Sequence, residues 1–259
     1  MAEGQGHDPR ARPDLDVDLG RAGVAGARPG SRADDHDGAT PACGYEPVKR
    51  LNTYELDIST EFPPLVQRIV KSGERNPRIR VREVELDHYQ REIEIILEIL
   101  NDAWSDNWGF VPLTEAEVAH TGKKLRPLVH PELNRIAELD GEPVAFMLTL
   151  PDVNDLFART GGKLFPFGWL RTLRWLKKPR GAGMRVPLMG VRKRLHNSRL
   201  ASQLAFMMIS DIRSAAAGMF ESRRGEIGWI LEDNQGMVAI ADTIDSNINR
   251  EYLIYGKQL

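Results

Sequence analysis

The stretch that most constrains this chain runs from residue 186 to residue 216. Val186-Pro-Leu-Met-Gly-Val191 is a short continuous apolar run and reads as a fully buried strand. A basic turn follows, Arg192-Lys-Arg-Leu-His-Asn197. Ser198 can cap the next helix through its hydroxyl. Leu200, Leu204, Met207, Met208 and Ile212 then recur at helical spacing. A strand without a polar face belongs inside a sheet, so residues 186–191 are expected at its centre with the helix on one face. The first N–H groups of a helix lack intrahelical partners, so the turn is also a place where a phosphate or pyrophosphate can bind. No glycine pattern accompanies it, and most strand-turn-helix units are scaffold only. The turn by itself leaves both readings open.

The remaining elements build around this unit. Ile79, Val81, Val84 and Leu86 suggest a strand near the start of the main domain at Arg78. Asp87 can cap a helix whose apolar stripe is Tyr89, Ile93, Ile96, Leu97, Leu100 and Trp104. Residues 101–112 break the pattern, with Trp104, Trp108 and Phe110 among Asn and Asp side chains. Such a loop either lines a substrate site or is pinned to the core by its rings. Thr114-Glu-Ala-Glu117 is a capping box. Residues 133–139 and 143–150 flank Asp140-Gly141, a strong hairpin signal. Between 163 and 185, Arg171, Arg174 and Lys178 share one helical face and Trp169, Leu170, Leu173 and Leu176 another. That pattern predicts a core-packed helix with a solvated cationic face, or else a helix for an anionic surface. Residues 225–231 read as a strand, Asp233 or Asn234 as the cap of a short helix, and the region around Tyr252 and Ile254 as a last strand. Strands alternating with helices around a central hairpin predict an α/β fold with a mixed, mostly antiparallel sheet flanked by helices.

Residues 1–42 contain no aromatic side chain and no periodicity. They cannot bury enough surface to offset their ordering entropy, which predicts disorder and dispensability for residues 1–43. Residues 44–58 carry Tyr45, Val48, Leu51, Tyr54, Leu56 and Ile58, the last three alternating as in a half-buried strand. One strand has little stability alone, so it must pair elsewhere. The single cysteine, Cys43, excludes an internal disulfide and implies no metal cluster. A net charge of −2 gives no global reason to expect nucleic acid. No apolar run reaches membrane-spanning length and no signal-peptide core is present, so a cytoplasmic location is the expectation.

The order of elements, with strand, turn and helix after a central hairpin, resembles the GNAT superfamily of acyl-CoA N-acyltransferases. The runs Asn107-Trp-Gly-Phe-Val-Pro112, Ala137-Glu-Leu-Asp-Gly-Glu-Pro-Val144, Leu150-Pro-Asp-Val-Asn154 and Trp229-Ile-Leu-Glu-Asp-Asn234 resemble a bacterial GNAT-like family without a settled substrate. The resemblance covers roughly residues 78–259. Relatives of this pattern carry two such units, which makes 44–77 a remnant strand of a preceding unit plus a linker. It also implies a lost partner domain, or self-association through the surface left behind.

The resemblance implies an acetyl-CoA or other acyl-CoA co-substrate and an acceptor amine on a small molecule, amino acid or peptide. The superfamily's pyrophosphate turn, Gln/Arg-x-x-Gly-x-Gly/Ala, falls on His196, Asn197, Ser198, Arg199, Leu200 and Ala201. Ala201 fits, His196 stands in for the first polar residue, and Arg199 replaces a glycine. That arginine either crowds the pyrophosphate or pairs with it. Backbone groups of Met189, Gly190 and Val191 are candidates to polarise the thioester carbonyl, and Asn234 matches the asparagine that opens the next helix. Glu226 and Glu138 are candidate bases. The superfamily's usual tyrosine acid would fall near Ala241 and is absent, leaving Tyr252 or Tyr255 as substitutes. Two other readings stand beside an N-acetyltransferase: a non-catalytic acyl-CoA or partner-binding module, and a peripheral protein that uses helix 169–178 at an anionic surface.

Overall fold

The computed structural model describes residues 43–162, 165 and 167–257. The disorder expected for 1–42 therefore lies outside the described residues. The described residues divide into two compact units, Asn52–Asn249 and a smaller one, residues 43–51 with 250–257.

Among the described residues, seven strands form a sheet in the order β2-β3-β4-β5-β6-β1-β7. They are β1 (Glu46–Asp57), β2 (Ile79–Glu83), β3 (Arg135–Leu139), β4 (Glu142–Pro151), β5 (Met184–Val191), β6 (Arg224–Leu231) and β7 (Asn247–Gly256). The larger unit holds β2 to β6 together with residues 52–57 of β1 and 247–249 of β7. The expected mixed α/β fold is thus observed, with β5 fourth of seven. Its helices are α1 (Pro64–Glu74), α2 (Tyr89–Trp104), α3 (Glu115–Leu125), α4 (Val153–Thr160), α5 (Gly168–Lys177), α6 (Arg199–Phe220) and α7 (Gln235–Thr243).

The sheet is covered on both faces. Leu204, Ala205, Met208, Ile209 and Ile212 of α6 pack with Ala137, Ala145, Met147, Val186 and Met189, and Phe62 and Val66 join the same core. Ile95, Ile99 and Leu100 of α2 pack on the other face, against Val84, Ile136 and Phe146. Tyr54, Leu56 and Ile58 also belong to the first core, so residues 52–77 are part of the larger unit. In the smaller unit, Lys257 Nζ donates to the Cys43 carbonyl at 3.0 Å and lies 5.7 Å from the Tyr45 ring.

Local sequence signals translate directly. Ser198 Oγ accepts from the Ala201 N–H, and Thr114 and Glu117 form the complete capping box. Asp140 and Gly141 turn the hairpin with φ of 53° and 82°. Gly141→Ala forces a Cβ into this left-handed region and should cost roughly 1–2 kcal/mol, read as a lowered melting temperature. Helix α2 continues through Trp104, four residues past the break expected at Asn101. The side chain of Asn101 instead fastens the following loop through the Leu113 N–H and C=O, both at 3.0 Å.

Candidate functional site

The site begins with an irregularity in β5. Pro187 has no N–H to give a ladder. Around it the register with β4 slips by one, from Leu150↔Arg185 to Leu148↔Leu188. The parallel ladder between β5 and β6 ends at Val186↔Ile227 after three residue pairs. Beyond that point β5 stays paired to β4 only, and its other edge is released.

The alternation of an antiparallel ladder decides which groups use that edge. The Arg192 N–H donates to the Val144 carbonyl at 2.8 Å, which fixes 192, 190 and 188 as the positions bonded to β4. The N–H groups of Met189 and Val191 therefore point away from β4, toward the released side. Gly190 belongs to the set bonded to β4, so its expected role at a thioester carbonyl is corrected to a packing role. A Cβ there would come within 2.9 Å of the Phe146 ring and 3.2 Å of Ala103.

The last turn of α2 clamps this released segment. Trp104 Nε1–H donates to the Met189 carbonyl at 3.0 Å. Asp102 Oδ2 accepts from the Lys193 N–H at 2.7 Å. His196 Nε2 lies 2.7 Å from the Val191 carbonyl.

After the strand, Asn197 takes a left-handed conformation (φ 58°) and Ser198 caps α6. Ser198 already binds the Ala201 N–H, so Ala201 is not a free donor. Arg199 and Leu200, at the first two helical positions, keep their N–H groups outside the intrahelical ladder. The basic turn is not the cationic cluster its composition suggests. Arg192 pairs with Glu98 at 3.3 Å, Lys193 with Asp106 at 2.5 Å and Arg194 with Glu142 at 2.6 Å. Arg199 is exposed at the helix start. Asn234 caps α7 through its side chain, accepting from the Met237 N–H at 3.1 Å.

A cavity of about 230 Å³ opens between α2 and α3. Its wall is almost wholly apolar, including Ile93, Ile96, Leu97, Leu100, Val118 and Leu125. Leu148 of β4 and Leu188 of the released segment of β5 also line it. Gly122 lets α3 approach, since a Cβ there would lie 2.5 Å from Ile93, and the Tyr89 hydroxyl donates to the Gly122 carbonyl at 2.9 Å. An apolar lining of this kind suits the apolar part of a ligand.

Glu92 is a buried polar residue in that wall. Its carboxylate takes two bonds from Arg82, at 2.8 and 3.0 Å, and Arg82 Nε reaches Glu138 at 2.7 Å. The Glu92 bond outweighs desolvation and raises the Arg82 pKa above its ordinary value, so the guanidinium stays charged. Arg80, outside this trio, also reaches Glu138, at 3.7 Å, so two arginines serve the two carboxylates.

The expected bases fall in different places. Glu138 belongs to the trio beside the cavity. Glu226 is buried on β6, 2.7 Å from the Arg185 guanidinium, and accepts from Asn249 Nδ2 at 3.0 Å. Tyr252 is buried and belongs to the smaller unit. Arg82 and Glu92 were missed in the sequence because each sits inside an amphipathic element as an ordinary charge.

No family model matches the chain. It is 38% identical over 217 residues to "Bacterial ceramide synthase" of Caulobacter vibrioides, covering 83% of this chain and 56% of that protein. It is 36% identical over 202 residues to "Protein YghO" of Escherichia coli, covering 76% of this chain and 50% of that protein. The chain thus spans about half the length of the curated relatives it matches. Among solved structures, a GCN5-related N-acetyltransferase from Sphaerobacter thermophilus aligns with a TM-score of 0.58 at 15% identity, over 90% of this chain and 58% of that one. A tandem GNAT protein from the clavulanic acid biosynthesis pathway aligns at 0.50 and 12% identity, over 90% and 62%. Likeness at these identities concerns the fold.

Proposed function

We propose that this chain, which has the GNAT-like fold, transfers an acyl group from an acyl-CoA to the amine of a long-chain amino alcohol or similar lipid. The observation that carries this reading is Leu188. It stands in the released segment of β5, where a thioester can lie along free backbone donors, and it also lines the apolar cavity. One site can then hold an activated acyl group beside an alkyl tail. The name of the Caulobacter relative agrees with this chemistry, since a ceramide is the fatty amide of a long-chain amino alcohol.

The amine attacks the thioester carbonyl of acyl-CoA; the C–N bond forms, the C–S bond breaks, and CoA leaves as its thiol with the proton that the amine gives up. The N–H groups of Met189 and Val191 are directed where they can stabilise charge on that oxygen. The start of α6, with the Arg199 and Leu200 N–H groups and the Arg199 side chain, suits the pyrophosphate. The amine head lies against Glu92 in the wall, and its tail enters the cavity. Glu92 lies in the cavity wall and is our candidate to accept the amine proton, in preference to Glu226 or Glu138.

The test is amide formation with acyl-CoAs and two amines, one short and one long-chain, followed by mass spectrometry. Product is expected from the long-chain amine. Ile96→Trp fills the cavity and should abolish that product while leaving acyl-CoA affinity unchanged. Arg199→Ala should weaken acyl-CoA binding by about 1.5–3 kcal/mol, as for a charge-assisted hydrogen bond. Absence of calorimetric binding to any acyl-CoA would end the acyl-transfer reading. Equal use of both amines would retain transfer and remove the lipid acceptor.

A further inference from the structure

Helix α5 faces the wrong way for a scaffold helix. Its anchor is Trp175, which packs with Leu156 and Ala182 in a small separate cluster, with Val153 and Leu176 beside it. Trp169, Leu170 and Leu173, the side chains expected to form the core-facing stripe, are 45%, 49% and 51% exposed. Phe165 and Phe167 just before the helix are 83% and 70% exposed, and Phe157 of α4 is also exposed. Helical geometry puts Trp169, Leu173, Lys177 and Leu170 on one outward arc, with Arg174 at its border. Arg171, Arg174, Lys177 and Lys178 are all exposed.

The charge along this segment has one sign. Residues 156–178 contain six Lys and Arg and no Asp or Glu, in a chain whose net charge is −2. Large outward apolar side chains interleaved with exposed basic ones are complementary to a surface that is both apolar and anionic. Among the described residues, no helix is long and apolar enough to cross a membrane. A short helix of this kind lies in the plane of the headgroups with its rings in the acyl boundary.

We infer that α5, with Phe165 and Phe167, docks the protein onto an anionic phospholipid bilayer. The inference stands on this surface alone and does not require the acyl-transfer reading. The rings and leucines enter the interface, and Arg171, Arg174, Lys177 and Lys178 meet lipid phosphates. Each basic side chain near such a surface adds attraction that falls off within a Debye length.

The full chain is tested by co-sedimentation with vesicles of phosphatidylcholine alone and of phosphatidylcholine mixed with phosphatidylglycerol, at low and high salt. Binding is expected to the mixed vesicles, weak at high salt and negligible on phosphatidylcholine. Leu170→Ala with Leu173→Ala should weaken it roughly tenfold or more. Arg171→Glu with Arg174→Glu should do the same through charge. All four side chains are exposed, so melting temperature and circular dichroism should not move. Trp169 emission should shift to the blue on vesicle addition, and the shift should vanish in Trp169→Phe. Failure to sediment with anionic vesicles at low salt overturns the inference and assigns the arc to a protein partner. Binding indifferent to the leucine pair also overturns it, leaving charge adsorption only.

Discussion

Arg82→Ala is expected to lower stability by roughly 3–5 kcal/mol, the cost of leaving buried charge without its partner. Arg82 and Glu92 have side chains 13% and 5% exposed, and Arg82 also holds Glu138. Removing the guanidinium strands the Glu92 carboxylate, which folding has taken out of water, and leaves Glu138 with Arg80 alone, at 3.7 Å. Urea unfolding of the variant and the wild type measures the loss. A loss of about 1 kcal/mol or less, as for a surface pair, would show that water reaches these carboxylates. Because Glu92 also lines the cavity, the variant tests whether the wall keeps its shape without the trio.

Phe146→Ala should cost about 3–5 kcal/mol, as for large-to-small changes at fully buried aromatic positions. Phe146 is fully buried, and its ring lies directly against Gly190 of β5. Gly190 is the position where any side chain would collide with that ring, so ring and glycine are shaped to one another. The released segment of β5 is held by the ladder to β4, by the α2 clamp and by this ring. Loss of the ring should therefore raise hydrogen exchange at Leu188, Gly190 and Arg192, whose N–H groups bond to β4, beyond the global change in stability. Phe146→Leu keeps most of the volume and should cost much less. Equal losses for both substitutions would argue against a close-packed contact, and unchanged local exchange would show that the ring does not hold the strand.

The sequence by itself determined the local units. Strand 186–191, observed as Met184–Val191, with the Ser198-capped helix, the Asp140-Gly141 hairpin and the Thr114 capping box were legible because each rests on periodicity or cap chemistry within a few residues. The central place of β5 followed from its continuous apolar run. Tertiary structure alone decided what these units do together. The slip at Pro187 frees the β6-facing edge of Met189 and Val191, and it exists only when β5 meets both neighbours. The turn Arg192-Lys-Arg194 is cationic in sequence, yet Glu98, Asp106 and Glu142 reach it from 94, 87 and 52 residues away and pair with it. Arg82, Glu92 and Glu138 look like solvated charges until β2, β3 and α2 pack and bury them together. Helix α5 shows the limit most directly. Its spacing defines an apolar stripe, but a tryptophan stands on each side of the helix, and only packing selected Trp175 for the interior and turned Trp169, Leu170 and Leu173 outward.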